Sequence, residues 1–376
     1  MSWHAVDAVD DAVDATRRFL FPFSLVRWTK LGFLVLLMGG GGGASANASV
    51  SAVSDAGVIS PGETGSVSTG ADLGSAGIDP RSVTPGQLVE TIDPGVLAVL
   101  AVGIVLLVAA FSVVSLSLRL VFYDALRTNE VRIRQPFRSR LRQSLGLFLF
   151  TAVLSAGAMA PLALAVLVAS AANAPIGVGP IDSVAGSIGS LATGPVIVLG
   201  FVGAAFVAIA ALALRFTYEF VVPTIVVEET GVLGGWRRFW RTLRTRWTEF
   251  VVYLVVHVIV SVGLSVVEGI AAVLAFALVG TVAGLVLLAV AAALGGLGAL
   301  VGTTAGTAAL AVVVIVAVAS LIGLVLPVRV VTSSYRIAYE VSTLGGIDGD
   351  LALLHRDLDP RVSESAESDA VDSPDP

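Results

Sequence analysis

Long apolar runs with almost no charge dominate this sequence and limit what it can fold into. The run from Gly95 to Leu118 has no charged residue, and Val, Ala, Leu and Gly fill most of 251–328. A run of about 18 or more apolar residues is typical of a membrane-spanning helix. Over the chain 56% of residues are hydrophobic and 13% are charged, whereas soluble domains carry about 25% charged residues. We therefore expect an all-α, polytopic membrane helix bundle.

The apolar segments predict about six transmembrane helices within a bundle that covers 23–346. The first is weak and is centred on 31–38; the others are 95–118, 145–171, 195–222, 251–268 and 306–328. With six spans, we expect the glycine-rich stretch near 275–300 to be re-entrant or folded within the bundle. The alternative is a seventh span over 270–294, which would place the C-terminus outside.

The distribution of arginine predicts the orientation of these helices. The segments 119–142 and 228–249 hold seven and five arginines, whereas 44–94 and 172–194 hold one and none. Basic residues are retained on the cytoplasmic side of a membrane. We expect both termini and both arginine-rich segments in the cytoplasm and 44–94 as an external loop, where Asn47 lies in a glycosylation sequon.

The two ends of the chain differ in character. Residues 1–22 predict an amphipathic cytosolic helix, capped by Ser2, with an acidic face and an opposite face that includes Val6 and Val13. Residues 347–376 predict an acidic, disordered tail. A cleaved signal ending at Ala44-Ser45-Ala46 is an alternative for the start of the chain, but the charged leader is long and Pro22 interrupts it.

Composition also indicates a source and excludes some chemistry. Lys30 is the only lysine, the pI is about 5.1, and there is no cysteine. This balance suggests a halophilic, GC-rich source. Without cysteine there is no disulfide and no thiolate metal site.

The stretch GGWRRFWRTLRTRWTEF (234–250) packs five arginines and three tryptophans between two apolar runs. On a helical wheel one arc of about 100° holds every aromatic residue and one leucine, and Arg237 and Arg241 lie opposite. The residues on this arc are Trp236, Phe239, Trp240, Leu243, Trp247 and Phe250. The pattern predicts a helix in the plane of the membrane interface. A phosphate or lipid headgroup site is the alternative; segregated aromatic residues beside two spans argue against nucleic acid.

Four polar residues inside the spans are candidates for a functional role, because such residues are costly in hydrocarbon. Arg215 and Glu219 are four residues apart and predict a local ion pair or a functional pair. His257 and Glu268 share a helix face with Ser261, and predict a polar pathway or a helix–helix hydrogen bond. The three histidines lie in different segments, and no catalytic motif is present. We expect no catalytic site, no histidine metal cluster and no cofactor.

The sequence YEFVVPTIVVEETGVLGGWRRFWRTLRTRW (218–247) resembles haloarchaeal multi-pass membrane proteins of unassigned function. More distantly, it is similar to the non-catalytic membrane domain of some glycerophosphodiester phosphodiesterases. Those domains share a span ending in proline, an acidic turn, an amphipathic segment and a further span. WHAVDAVDDAVDATRRFLFPF (3–23), with its following glycine run, fits the haloarchaeal group better. The resemblance implies an archaeal membrane protein and no catalytic residues.

These features predict a non-enzymatic membrane protein with a scaffold or accessory role. Its expected partners are the lipid bilayer and membrane proteins or further copies of the chain, but not nucleic acid. The alternative function is a transporter or channel for a small solute, with a polar face on the 251–268 helix.

Overall fold

The structure, a computed structural model, describes residues 3–38, 94–173 and 193–362. These residues form helices and no strand, which confirms the all-α prediction. Most of both predicted external loops, the sequon at Asn47, the signal cleavage site and Ser2 lie outside the described residues. Five helical segments are long and apolar enough to cross a membrane: 95–128, 136–161, 201–228, 247–294 and 304–347.

The helices follow one another along the chain with short connections wherever the connection is described. They are α1 (His4–Leu20), α2 (Leu25–Met38), α3 (Pro94–Thr128), α4 (Arg134–Asn173), α5 (Thr193–Phe216), a π-helical turn (Thr217–Val221), α6 (Val222–Glu228), α7 (Val232–Thr245), α8 (Trp247–Leu294), α9 (Leu297–Gly302), α10 (Thr304–Ile347) and a 3₁₀ turn (Gly349–Leu351). The weak first span corresponds to α2, which has 14 residues.

Helix α8 corrects the expected arrangement of 251–294. It is one uninterrupted helix of 48 residues, so the stretch from 275 to 294 is not re-entrant. Glycine in a helix interior costs only about 1 kcal/mol, and no proline interrupts the hydrogen-bond ladder. The helix ends at Gly295 and Gly296, whose φ angles of 93° and 134° favour glycine. At about 1.5 Å per residue α8 is roughly 72 Å long, more than twice the hydrocarbon thickness of a bilayer.

The buried core lies at one end of the long helices. In α3 the side chains from Val96 to Val108 are largely exposed, whereas Leu116 to Leu126 are largely buried. Burial is concentrated in the same way in α8 before Val258 and in α10 after Arg329. We call this compact end the head. It comprises α1, α3 from Leu116, the π-helical turn, α6, α7, α8 up to His257, α10 from Val330, and residues 348–362.

Helix α1 packs on the head through a stripe of small residues. Its buried side chains include Ala5, Ala8, Ala12 and Ala15, which face α10, and Tyr339 donates a hydrogen bond from its hydroxyl to the Ala5 carbonyl at 3.2 Å. Val6 and Val13, predicted on the apolar face, are 50% and 52% exposed. Side chains without bulk let α1 approach α10 closely, so alanine rather than valine marks the packed face.

The start of the C-terminal segment also corrects a prediction. Residues 348–362, expected to be disordered, pack on the head with Leu351, Leu353 and Leu358 buried. Arg361 pairs with Asp11 of α1 at 2.7 Å. The chain ends described here therefore lie at the same end of the bundle, and residues 363–376 are outside the described part of the chain.

The alanine stripe yields a stability prediction. Replacing Ala8 with leucine should destabilise the protein by about 1–3 kcal/mol, because overpacking at this close contact forces α1 away from α10. Thermal unfolding of the detergent-purified chain measures the effect. Val13→Leu, on the exposed side of α1, is the matched control and should leave the unfolding midpoint unchanged. Equal effects of the two substitutions would contradict the packing of α1.

Candidate functional site

The aromatic stretch predicted as a single interfacial helix is divided in the structure. Helix α7 ends at Thr245, Arg246 leaves the helical region with φ −129° and ψ 38°, and α8 begins at Trp247. Phe239 and Phe250 are buried, with 0% and 1% exposure, so their side chains do not lie on the surface of the protein. The predicted arc includes both the buried Phe239 and the exposed Trp240 of α7, because α7 packs on the head through the Phe239 side of this arc. The helical wheel also assumed one continuous helix, whereas the stretch breaks at Arg246.

The buried aromatic residues of this stretch hold α7 against the π-helical turn. Phe239 stacks on Phe220 with ring centroids 5.4 Å apart, and Phe250 meets Phe220 edge-on at 5.1 Å. A Cβ atom at Gly235 would lie 2.8 Å from Cγ1 of Ile225, so only glycine permits this approach of α7 to α6. Trp236 is half-buried and donates from its indole nitrogen to the Thr217 hydroxyl at 3.2 Å. Leu243 is also half-buried against the core.

The opposite side of α7 is exposed and carries both tryptophan and arginine. Leu233 and Trp240 are 74% and 46% exposed, and Trp247, the first residue of α8, is 61% exposed. Arg237, Arg241 and Arg244 are exposed as well. The Arg244 guanidinium lies 5.2 Å from the Trp240 ring centroid. We call Leu233, Arg237, Trp240, Arg241, Arg244 and Trp247 the outward face of α7.

The π-helical turn between α5 and α6 has a local cause in the sequence. Pro223 has no N–H to donate to the carbonyl of Glu219, and its ring crowds that carbonyl. The ladder widens there, and the Val222 N–H instead reaches the carbonyl of Thr217, five residues back. Such turns inside α-helices occur frequently at functional sites. Here the turn carries Glu219, whose side chain is only 9% exposed.

Glu219 is the centre of a buried polar cluster. Arg215 binds its Oε1 from the preceding turn, with Nε at 2.9 Å. The hydroxyl oxygen of Tyr253 in α8 lies 3.0 Å from Oε2 of Glu219 and 2.7 Å from Nδ1 of His257. Nε2 of His257 lies 3.4 Å from Oε1 of Glu219. Two elements, the π-helical turn and α8, thus meet through one carboxylate.

Glu340 of α10 joins the cluster from a third side and is 2% exposed. The Tyr123 hydroxyl donates to its Oε2 at 3.2 Å. The nearest guanidinium nitrogen of Arg119 lies 3.8 Å away, beyond hydrogen-bond distance, because Arg119 donates to the carbonyl of Tyr218 at 3.2 Å. Helices α3 and α10 are therefore connected to the π-helical turn by the same group of polar side chains.

The structure brings together three of the four polar candidates from the sequence. Arg215, Glu219 and His257 share the cluster, whereas Glu268 does not belong to it. Glu268 accepts a hydrogen bond from Thr332 of α10, and it lies in the interior of α8 rather than at a helix end. Arg119, Tyr123, Tyr253 and Glu340 also belong to the cluster, and the sequence patterns did not single them out. A usable signal was present for two pairs, because Arg119 and Tyr123, and Tyr253 and His257, are each four residues apart.

A comparison with protein families places the chain. The profile of a family of unknown function (DUF7544) matches residues 3–354. The chain belongs to this family. Neither a curated protein nor a solved structure matches this DUF7544 protein. The match covers both the head and the spans, and the five apolar helices indicate a membrane protein. The family match carries no information on the source organism or on a relationship to glycerophosphodiester phosphodiesterases. The haloarchaeal source and the similarity to those enzymes' membrane domain therefore stay predictions.

The divided aromatic stretch gives a direct test of the site. Replacing Phe239 with alanine should cost about 3–5 kcal/mol of stability, because it empties the centre of a buried aromatic group. Replacing the exposed Trp247 with alanine should change stability by no more than about 0.5 kcal/mol. Thermal unfolding in detergent compares the two. A larger effect at Trp247 than at Phe239 would contradict the assignment of inward and outward faces.

Proposed function

We propose that this DUF7544 protein is a non-enzymatic membrane protein of the accessory or scaffold type. In this proposal its head lies at the cytoplasmic surface of the bilayer and organises anionic lipids there. The outward face of α7 is the observation that carries the proposal. It combines exposed apolar, aromatic and arginine side chains, the composition of membrane-surface helices.

The position of α7 relative to the spans supports this proposal. Trp236 contacts Phe150 of α4, with ring centroids 6.2 Å apart, close to the point where exposed apolar residues of α4 begin. Arg238, on the other side of α7, pairs at 3.0 Å with Asp348, which follows the end of α10 in the head. Leu233 and Trp240 lie within about 60° of Trp236 around the helix and about 140° or more from Arg238. The apolar edge of the outward face is thus on the side of α7 that is nearest the membrane segments.

Two kinds of attraction contribute to this contact, and they respond differently to salt. Each arginine near an anionic leaflet contributes about 1 kcal/mol at ordinary ionic strength. At molar salt the Debye length falls to about 3 Å and most of this attraction is lost. Burial of a large apolar side chain contributes roughly 1.5–3 kcal/mol and is not screened. If the protein works in a halophile, as its composition suggests, Leu233, Trp240 and Trp247 supply most of the attachment and the arginines chiefly determine sidedness.

The lipid contact can be measured with a spin label on a cysteine introduced at Leu233, since the native chain has no cysteine. In nanodiscs with anionic lipid the label should be accessible to oxygen and protected from a water-soluble nickel chelate. Trp240→Ser combined with Trp247→Ser should expose the label to the chelate at low and at molar salt. Replacing Arg237, Arg241 and Arg244 with glutamine should leave the label protected at both salt concentrations, because the apolar side chains supply most of the attachment.

Trp3→Ser is the matched control for the tryptophan pair, because Trp3 is 42% exposed in the head but lies outside α7. It should leave the label protected. A label that is fully accessible to the chelate in the otherwise unchanged protein would refute the lipid contact. If the label is protected from the chelate only when a second protein copurifies, and not in nanodiscs with anionic lipid, the outward face would bind a protein partner instead.

A transporter or channel is the second candidate, and the buried cluster around Glu219 is the observation that favours it. A transport path would need the side of α8 that holds His257 and Ser261 to face water. His257 is instead buried against Tyr253 and Glu219. Exposed side chains of the same segment are mostly apolar and include Val258, Ile259, Val262 and Val266, and the exposed Ser265 donates its hydroxyl to the Ser261 carbonyl at 2.8 Å. This pattern fits contact with lipid better than contact with an aqueous path.

Cysteine labelling distinguishes the two functions. In native membranes Ser261→Cys should not react with a membrane-impermeant maleimide, because Ser261 is half-buried and the exposed side chains around it in α8 are mostly apolar. Thr245→Cys, exposed at the end of α7, is the positive control and should react in opened membranes. Rapid labelling at position 261 from the aqueous phase would favour transport and contradict the scaffold proposal.

A further inference from the structure

We propose that Glu219, His257 and Glu340 bind one divalent transition-metal cation, with Zn²⁺ as the best-fitting ion. The three residues come from the π-helical turn, α8 and α10, which are distant in sequence. One donor atom from each lies within 4.8 Å of the other two, and all three side chains are buried. This site is separate from the outward face of α7, so it does not rest on the proposed lipid contact.

One tautomer of His257 directs a lone pair into the cluster. The Tyr253 hydroxyl has one proton and lies near both Glu219 Oε2 and His257 Nδ1. In the tautomer in which this hydroxyl donates its hydrogen bond to Glu219, Nδ1 carries the imidazole proton and donates a hydrogen bond to the tyrosine oxygen. Nε2 is then an acceptor 3.4 Å from Oε1 of Glu219, which is also an acceptor. Two facing acceptors repel each other unless a cation or a proton lies between them.

This arrangement is also the one that metal-bound histidine commonly has. A histidine ligand usually donates its other ring N–H to an oxygen atom, which fixes the tautomer and the ring direction. Tyr253 does this for His257 and at the same time contacts the carboxylate of Glu219, so one tyrosine orients two of the proposed ligands. Tyr253 is fully buried and stacks on Tyr339 at 5.6 Å, which restricts its own movement.

Glu340 supplies the third ligand and is the least compensated of the buried carboxylates in the cluster. Its direct partner is a neutral hydroxyl, and the nearest Arg119 nitrogen is 3.8 Å from it. An ionised carboxylate that is taken out of water is costly unless it is paired or bound to a metal. Arg215 is engaged with Glu219 at 2.9 Å and is one-third exposed, at the rim of the cluster. The inner side, between Glu219, His257 and Glu340, is where a further positive charge would stabilise the group most.

The donor types indicate which ion fits. One imidazole nitrogen and two carboxylate oxygens suit zinc, which binds such ligands at about 2.0–2.2 Å and accepts three protein ligands plus water. In a tetrahedral zinc site with bonds of roughly 2.1 Å, the donor atoms lie about 3.4 Å apart. Glu219 Oε1 and His257 Nε2 are already 3.4 Å apart, whereas a separation of 4.8 Å would have to shorten by about 1.4 Å. Rotation about the side-chain bonds of a glutamate can move its carboxylate oxygens over such a distance.

The test measures metal bound to the full-length chain in detergent, purified with an affinity tag that contains no histidine. The protein is stripped with a chelator, incubated with Zn²⁺, desalted and assayed by elemental analysis. The unchanged protein should retain stoichiometric zinc, and His257→Gln and Glu340→Gln should each reduce it to background. With Co²⁺ in place of Zn²⁺, the unchanged protein should show the intense visible bands of a tetrahedral site, and His257→Gln should lose them.

Two substitutions serve as matched controls. Glu268→Gln removes a carboxylate from the same helix but outside the cluster, and His355→Gln removes a histidine whose ring contacts Asp357 and not the cluster. Both variants should keep the zinc. Monodisperse elution and an unchanged helical spectrum establish that each variant is folded. Absence of stoichiometric zinc and of the cobalt bands in the unchanged protein would overturn the proposal and leave an ion-pair network without metal. Retention of zinc in folded His257→Gln or Glu340→Gln would overturn it equally.

Discussion

A single missing backbone hydrogen bond at Pro223 is the constraint on which the arrangement of the head depends. Because proline cannot donate a hydrogen bond to the carbonyl of Glu219, the helix that continues from α5 forms a π-helical turn before α6. The widened turn directs Glu219 inward and presents the carbonyl of Tyr218 to Arg119 of α3. The same turn places Phe220 between α7 and α8. One local defect in a span thus creates the contact surface for three other helices.

Helix length explains why a head exists at all. A bilayer requires about 20 apolar residues from a spanning helix, whereas α8 and α10 have 48 and 44. Part of the excess is buried in the head, where the ends of these helices pack on one another, on α1 and on 348–362. Alanine on α1 and glycine at 235 allow these contacts to be close. The spans themselves, in the part of the chain that the structure describes, contribute much less to the buried core.

The sequence predicted the features that depend on local pattern and failed where contacts between distant residues decide. Uninterrupted apolar runs predicted the long helices, because hydrocarbon requires backbone hydrogen bonds to be satisfied within each segment. The outward face of the 234–250 stretch was misjudged, since the contact between Phe239 and Phe220, which buries one side of the predicted arc, joins separate helical elements and has no local signal. The pair Arg215 and Glu219 was visible at its spacing of four residues. Glu340 was not, because it lies 121 residues after Glu219 and only the fold brings them together.

The arginines divide into two groups that salt affects differently. Arg140 and Arg238 are largely buried and form short pairs with acidic residues, Asp124 at 2.8 Å and Asp348 at 3.0 Å. Buried pairs of this kind are screened far less than exposed charges, so they keep their geometry at high ionic strength. The arginines on the outward face of α7 are exposed, and their interaction with any anionic surface weakens as salt rises. In concentrated salt the internal pairs continue to hold the shape of the head, while the proposed contact with the membrane would depend increasingly on the tryptophan side chains beside those exposed arginines.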